Sequence, residues 1–187
     1  MSTDGNFINN DFVSAPLASM IPVYCPATGA MVGEVQAATN AQAMEAVEVA
    51  ARAQKHWRRL TSAERAVHMQ RLADALMERR EAIGRALAEE SGKSLEDATN
   101  EAVYAADITR YHAEWARRIE GDIVPSDTPD ESLLLTREPI GVVACLIPFN
   151  YPVFTLLRKI APAMITGNSV IVRPSNNTPR SAFEIAR

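Results

Sequence analysis

The amino-acid sequence predicts an α/β protein in which a layer of helices precedes the first strands of a doubly wound parallel sheet. Apolar residues recur at helical spacing in three successive segments between Thr39 and Glu120. After Pro139, short apolar runs alternate with a helical segment, which is the order that builds a parallel sheet. A break with two prolines and three aspartates, at residues 121–130, separates the two patterns.

The region before the helices contains one predicted hairpin. Residues 1–20 show no sustained period and are expected to form a loose arm lying on something larger. Residues 21–35 contain two β-prone runs joined by the turn residues from Pro26 to Gly29, which predicts a β-hairpin.

Each of the three helices is predicted to begin at a hydroxyl residue that pairs with a residue three positions later. These pairs are Thr39 with Gln42, Thr61 with Glu64, and Ser94 with Asp97. The helices are expected to end near Arg58, at Gly92 and near Glu120. An aromatic stripe runs along the third helix and is interpreted as core rather than as a cofactor-stacking surface. Its members are Tyr104, Ile108, Tyr111 and Trp115.

The last third of the sequence is predicted to contain a strand at 132–139, parallel strands at 142–147 and 169–172, a helix at 154–165 between them, and a helix beginning near Ser181. A parallel sheet of two strands cannot cover both its faces. The last helix stops at Arg187 without a Gly or Pro terminator. We therefore expect the chain to be the amino-terminal part of a longer protein.

Composition excludes several classes of function. The 187 residues include 19 Lys and Arg against 23 Asp and Glu, a net charge of −4, which argues against nucleic acid or anionic lipid as a partner. The longest apolar stretch, residues 140–148, is far shorter than the roughly 20 residues of a membrane span. Cys25 and Cys145 lie far apart, which excludes a disulfide scaffold and a zinc ribbon and favours a cytoplasmic location.

Two nucleotide-binding motifs fail on their spacing. Gly92-Lys93-Ser94 lacks the upstream glycine and strand of a phosphate loop, so it is interpreted as a helix stop followed by an N-cap. None of the eight glycines has the spacing of the GxGxxG dinucleotide fingerprint.

Other chemistry-bearing side chains are given ordinary structural roles. The three histidines, His56, His68 and His112, are scattered on predicted helices, so no metal site is expected. Both cysteines are expected to be small buried hydrophobes rather than nucleophiles. Four glutamates are interpreted as solvated helix charges; they are Glu89, Glu90, Glu96 and Glu101.

A proline-braced polar turn follows each of the two predicted parallel strands. The turns are Pro148-Phe-Asn-Tyr-Pro152 and Arg173-Pro-Ser-Asn-Asn-Thr-Pro179. Ligands of α/β folds bind at the carboxyl ends of such strands. Because two prolines restrict the backbone around Asn150, its carboxamide could serve as a preorganised donor to a developing oxyanion. By spacing alone, an equally good interpretation is that Asn150 only caps the following helix.

At these turns the sequence resembles the NAD(P)-dependent aldehyde dehydrogenase superfamily, and the resemblance extends over most of the chain. The turn of that family, usually written Pro-Trp-Asn-[Phe/Tyr]-Pro, stands here as Pro148-Phe149-Asn150-Tyr151-Pro152. The remaining resemblance is carried by Arg158-Lys-Ile-Ala-Pro-Ala163 with Gly167-Asn168, by Arg137-Glu-Pro-Ile-Gly-Val142, and by the weaker echoes Pro26-Ala-Thr-Gly29, Trp57, Arg65 and residues 89–93.

The resemblance implies a catalytic role for Asn150, as the donor that stabilises the oxyanion of a tetrahedral thiohemiacetal. It also implies that Ile147, Pro148 and Phe149 line the nicotinamide side of a cofactor cleft. In that chemistry a cysteine thiolate attacks the aldehyde, hydride passes to nicotinamide, and a glutamate-activated water releases the acid. The family places that cysteine and that glutamate beyond Arg187, so the chain alone is expected not to turn over substrate.

The second turn departs from the Lys-Pro-Ser-Glu that is usual in the family. Arg173 replaces the lysine and Asn176 the glutamate, whereas Pro174 and Ser175 match. In the family the acid accepts both adenosine ribose hydroxyls, which favours NAD and repels a 2′-phosphate. Because Asn176 is neutral and Arg173 can bind phosphate with two donors, NADP is expected to be tolerated or preferred. Arg173, Ser175 and Asn176 are thus predicted cofactor-binding residues.

The resemblance also implies an organisation. Residues 1–120 would form the arm, hairpin and helical layer, 121–138 an oligomerisation β arm, and 139–187 the start of a Rossmann-like cofactor-binding sheet, with the catalytic domain absent from this sequence. The exposed edge of the arm predicts a homodimer or homotetramer.

The expected function is the oxidation of a small aldehyde to its acid with NAD or NADP. The alternative is a naturally short non-catalytic relative that binds a nucleotide or a partner subunit.

Overall fold

The computed structural model describes residues 5–187, which form α-helices and two-stranded sheets. The helices are α1 (Asn40–Trp57), α2 (Ser62–Ser91), α3 (Leu95–Ala113), α4 (Pro152–Ile165) and α5 (Arg180–Ala186), with one 3-10 turn at Glu114–Arg117. The strands are β1 (Asn6–Ile8), β2 (Asp11–Val13), β3 (Met20–Tyr24), β4 (Met31–Gln36), β5 (Asp122–Pro125), β6 (Ser132–Leu135), β7 (Val142–Leu146) and β8 (Ser169–Arg173).

The strands pair two by two within the described residues. β1 with β2, β3 with β4, and β5 with β6 are antiparallel, whereas β7 and β8 are parallel. The predicted hairpin and the predicted parallel pair are therefore both confirmed. In the parallel pair Leu146 lies opposite Arg173, so the two polar turns begin side by side at one edge.

The predicted helix starts are confirmed in atomic detail. Thr39 and Thr61 each accept a hydrogen bond from the backbone N–H three residues later and complete capping boxes with Gln42 and Glu64. Gly92 ends α2 with φ 72°, a left-handed conformation that costs glycine little. The Gly92-Lys93-Ser94 segment is a helix stop followed by an N-cap, as the sequence predicts.

The core lies between α2, α3, α4 and the parallel strand pair. Leu87 and Leu157 have no exposed surface, and Cys145 of β7 is buried with them. The face of α3 toward this core consists mainly of alanines, which allows α3 to pack closely against both α2 and α4. Since α4 packs on this helical pair, the turn that precedes α4 is mounted on a rigid layer.

The first twenty residues were expected to form a loose arm lying on something larger; they do lie on the rest of the protein, but residues 6–13 are not loose. β1 and β2 form a tight hairpin, and Asn9 and Asn10 at its turn adopt φ of 55° and 62°. Asparagine tolerates this left-handed conformation, which matches the twist of a two-residue hairpin turn. Phe12 packs with its ring centroid 6.1 Å from that of Phe183. Residues 1–4 of the predicted arm lie outside the described part of the chain.

Two predicted elements end earlier than expected. The α-helical geometry of the third helix stops at Ala113, and a 3-10 turn carries the chain only to Arg117 rather than to Glu120. The strand predicted at 132–139 stops at Leu135. Its partner among the described residues, β5, begins at Asp122 opposite Leu135, so the residues after Leu135 have no strand to pair with.

Candidate active site at the carboxyl ends of two strands

The turn from Pro148 to Pro152 leaves the edge of the parallel strand pair. The backbone N–H of Ile147 donates to the carbonyl of Arg173 at 3.0 Å and extends the ladder by one residue. The Ile147 side chain is buried in the core beneath the turn, whereas Phe149 and Asn150 are exposed. The buried Ile147 thus anchors the turn, and the side chains of Phe149 and Asn150 face solvent.

Asn150 does not cap α4. The N-cap position belongs to Tyr151, which makes no side-chain capping hydrogen bond, and Pro152 occupies the first helical position. The cap is supplied from another helix, because Glu101 Oε1 of α3 accepts from the backbone N–H groups of Val153 at 2.9 Å and Phe154 at 3.1 Å. The capping interpretation of Asn150 is therefore wrong, and its carboxamide is left free for another partner.

Two of the four glutamates that were expected to be solvated are buried. Glu101 is 1% and Glu90 2% exposed. Glu90 caps α5 in the way that Glu101 caps α4, accepting from the backbone N–H groups of Arg180 at 2.6 Å and Ser181 at 3.0 Å. A carboxylate at a helix N-terminus satisfies donors that the helix itself leaves unpaired. Both helices that follow the parallel strands are thus held by acidic side chains of the helical layer.

Burial raises the pKa of Glu90 to about 7 from its ordinary 4.5, against the lowering effect of its hydrogen bonds to Ser181 and Arg180. Between these values the folded protein retains a proton that the unfolded chain has lost, so the free energy of unfolding falls as pH rises through that window. We expect Glu90→Gln to remove this decline, because glutamine does not titrate. The Tm of the variant relative to wild type should therefore increase from pH about 4.5 to about 7 and then level off. A Tm difference that is constant across this range would contradict the assignment.

Two clefts meet at Asn150. The first has a volume of about 630 Å³ and lies between α3 and the start of α4. Its lining consists of Tyr104, Asp107, Ile108, Tyr111, Asn150, Tyr151, Phe154, Thr155 and Arg158. The interpretation of the stripe as core is wrong for its aromatic members, since Tyr104, Tyr111 and Trp115 are 56%, 51% and 40% exposed, whereas Ile108 packs against the core. Tyr104 and Tyr111 form a wall of the cleft because alanines occupy the opposite, buried face of α3.

The second cleft, of about 480 Å³, brings together three of the residues predicted to form the site: Phe149, Asn150 and Asn176. Its other walls come from β3 and from the end of α2. Beside it, Arg173 Nη2 donates to Asn176 Oδ1 at 3.2 Å, and Ser175 Oγ accepts from the backbone N–H of Asn177. β8 therefore ends with a guanidinium, and neutral amides follow it, with no carboxylate between them.

Other candidate chemistries find no support in the described residues. Across residues 5–187 no three His, Cys, Asp or Glu side chains are grouped so that they could hold a metal ion. No helix in that range is long and apolar enough to cross a membrane.

Cys145 is buried as predicted, and burial raises the pKa of its thiol. Cys25 is half-buried rather than fully buried as predicted, because it lies in the turn between β3 and β4.

Comparison with known proteins decides the family. The model of the aldehyde dehydrogenase family matches residues 12–187. The chain belongs to the aldehyde dehydrogenase family. It is 37% identical to lactaldehyde dehydrogenase of Escherichia coli over 181 residues, and 35% identical to glutarate-semialdehyde dehydrogenase of Pseudomonas putida over 179 residues.

Solved aldehyde dehydrogenase structures have the same fold. Lactaldehyde dehydrogenase from E. coli superposes with a TM-score of 0.95 at 36% identity, over 98% of this chain and 39% of that chain. An NADP-dependent glyceraldehyde-3-phosphate dehydrogenase from Bacillus halodurans, solved with NADP, gives a TM-score of 0.92 at 32% identity, over 99% of this chain and 40% of that chain. The chain spans 38% of the length of the E. coli relative and 37% of the P. putida relative.

Proposed function

We propose that this chain forms the amino-terminal part of an enzyme that oxidises an aldehyde to a carboxylic acid with NAD or NADP. The observation that carries the proposal is the position of Asn150, exposed at the junction of two clefts on a turn that the helical layer holds in place. A carboxamide fixed at such a junction can donate to an oxygen that gains negative charge during the reaction. Family membership supports the same chemistry.

The cofactor is proposed to lie across the carboxyl ends of β7 and β8. Its nicotinamide end would lie at Pro148 and Phe149, above the buried Ile147, where an exposed aromatic face is available. Its adenosine end would lie at Arg173, Ser175 and Asn176. When bound, the cofactor accepts the hydride that the aldehyde carbon loses as it becomes an acid. The nucleophilic cysteine and the water-activating glutamate are proposed to come from a further part of the whole enzyme.

NADP is proposed to bind at least as well as NAD. Asn176 Oδ1 accepts from the Arg173 guanidinium, so this corner offers positive charge and neutral donors to a 2′-phosphate. Both cofactor types occur among the matched structures, which include the NADP complex from B. halodurans and an NAD-dependent benzaldehyde dehydrogenase from Corynebacterium glutamicum.

The substrate is proposed to be a small aldehyde that carries an anionic group. In the cleft between α3 and α4, Asp107 is paired with Arg110 at 3.3 Å, whereas Arg158 has no ion-pair or hydrogen-bond partner in the described part of the chain. An unpaired guanidinium in a cleft with aromatic walls favours a carboxylate or phosphate. Relatives whose names specify glutarate semialdehyde and succinate semialdehyde match this chemistry.

The test is steady-state oxidation by the whole protein of aldehydes with and without a terminal carboxylate, each with NAD and NADP. We expect kcat/KM to be at least about 10-fold higher for the carboxylate-bearing aldehyde and this preference to be lost in Arg158→Met. We also expect the KM for NADP to be no higher than that for NAD. Equal rates for both aldehydes would overturn the substrate class, a large preference for NAD would overturn the cofactor assignment, and no acid product would overturn the function.

The whole protein is also proposed to be a cytoplasmic homodimer or homotetramer. The β5–β6 pair carries large apolar side chains in solvent, among them Ile123 and Leu134. Exposed apolar strands of this kind favour a partner surface. Static light scattering of the whole protein measures the number of subunits, and a monomer would contradict the proposed oligomer.

A further inference from the structure

The carboxamide of Asn150 is not fixed by hydrogen bonds in the part of the chain that the structure describes. The neighbouring Tyr151 contributes no side-chain cap to α4. A donor that must point at a developing charge loses its value if its backbone is mobile. The backbone of this turn must therefore be held in place by neighbouring residues.

Two side chains of the helical layer clamp the turn on the carboxyl side of Asn150. Glu101 uses one carboxylate oxygen, Oε1, for the backbone N–H groups of Val153 and Phe154. Its other oxygen, Oε2, accepts from Lys93 Nζ at 2.5 Å. The same Lys93 ammonium lies 4.1 Å from the centroid of the Tyr151 ring, within cation–π distance. One ion pair therefore contacts the first, third and fourth residues after Asn150.

The clamp joins a buried carboxylate, Glu101, to a partly exposed ammonium, Lys93, whose side chain is 23% exposed. Glu101 projects from the middle of α3 with 1% exposure, and Lys93 directly follows the left-handed Gly92 that ends α2. Hydrogen bonds with an ionised partner are shorter and stronger than neutral ones, and removal of one buried partner leaves the other uncompensated. Neither residue was predicted to contact substrate or cofactor; in the structure Lys93 borders the second cleft beside Asn150, whereas Glu101 lines neither cleft.

We propose that Lys93 and Glu101 are positioning residues that fix the Pro148–Pro152 turn so that the Asn150 carboxamide stays aimed at the reacting oxygen. The proposal rests on the proposed oxidation of an aldehyde. It assigns the pair an effect on the chemical step that passes through Asn150, because a small misplacement of a catalytic group costs about 100-fold in rate. Glu101 is buried and lines neither cleft, so its substitution should leave cofactor binding at Arg173 and Asn176 unchanged.

The first experiment is a double-mutant cycle in the whole protein with Glu101→Gln and Asn150→Ala. Glutamine keeps the size and one acceptor oxygen but not the charge. We expect Glu101→Gln alone to lower kcat about 10-fold or more with the KM for cofactor unchanged. In the Asn150→Ala background the same change should have almost no further effect, because residues that act through one group are not additive. Glu96→Gln, at an exposed glutamate of the same helix, is the matched control and should leave kcat unchanged.

A second readout does not depend on activity. In hydrogen-exchange mass spectrometry of the whole protein, the amides of Val153 and Phe154 should exchange roughly 10-fold faster in Glu101→Gln and in Lys93→Met than in Glu96→Gln. Unchanged exchange, or a Glu101→Gln effect on kcat that persists without Asn150, would overturn the proposal. If the wild-type protein oxidises no aldehyde, the proposed function fails separately, and faster exchange still supports the clamp on the turn.

Discussion

Asn150→Ala in the whole protein will lower kcat for aldehyde oxidation by about 100- to 1,000-fold, the cost of losing one oxyanion donor. Asn150 lines both clefts, and its side chain has no structural partner in the described residues. Its removal should therefore leave the Tm and the KM for cofactor close to those of the wild type. Stopped-flow or steady-state measurement of cofactor reduction gives the result.

The matched control for this prediction is Asn100→Ala, at an exposed asparagine of α3 that lines neither cleft. It should retain the wild-type kcat. If Asn150→Ala keeps more than about a tenth of wild-type kcat, the carboxamide is not the oxyanion donor. A fall in Tm that accompanies the loss of kcat would instead indicate a structural role for Asn150.

Leu157→Ala is expected to lower the free energy of unfolding by about 2–5 kcal/mol. Leu157 has no exposed surface and lies on the face of α4 that packs against the helical layer. Since α2 and α3 are long helices already packed against each other, they cannot move far enough to fill the cavity that the truncation leaves. Urea denaturation of the whole protein, followed by a probe in this region, measures the loss.

The same substitution at an exposed position is the control. Leu17 is fully exposed, so Leu17→Ala should change the free energy of unfolding by less than about 0.5 kcal/mol. Equal effects at Leu17 and Leu157 would contradict the packing of α4 against the helical layer. Any fall in kcat in Leu157→Ala then reports movement of the turn that α4 carries.

Local signals predicted most of the elements correctly. Capping boxes and a terminal glycine depend on residues three or four positions apart, so Thr39, Thr61 and Gly92 could be assigned from the sequence alone. The parallel pairing of β7 and β8 followed from the alternation of apolar runs with a helix. The catalytic and cofactor-binding roles assigned to the two turns stay predictions.

The roles of Glu90 and Glu101 could not be assigned in this way, because each caps a helix more than fifty residues away. One signal was available for Glu101, which has Ala98 three positions before it and Ala105 four positions after it. Small residues around a charge indicate that it lies on the buried face of a helix. The same pattern places Tyr104 and Tyr111 on the opposite face, and this explains why the aromatic stripe lines a cleft instead of the core.

The central claim is that Asn150 lies between bound cofactor and substrate, and a crystal structure of the whole protein with NADP and a carboxylic acid product tests it most directly. The claim predicts a product carboxylate oxygen about 3 Å from Asn150 Nδ2, with the nicotinamide beside Phe149 and the 2′-phosphate at Arg173. Ligands bound away from the carboxyl ends of β7 and β8, or an Asn150 side chain without a ligand contact, would contradict it.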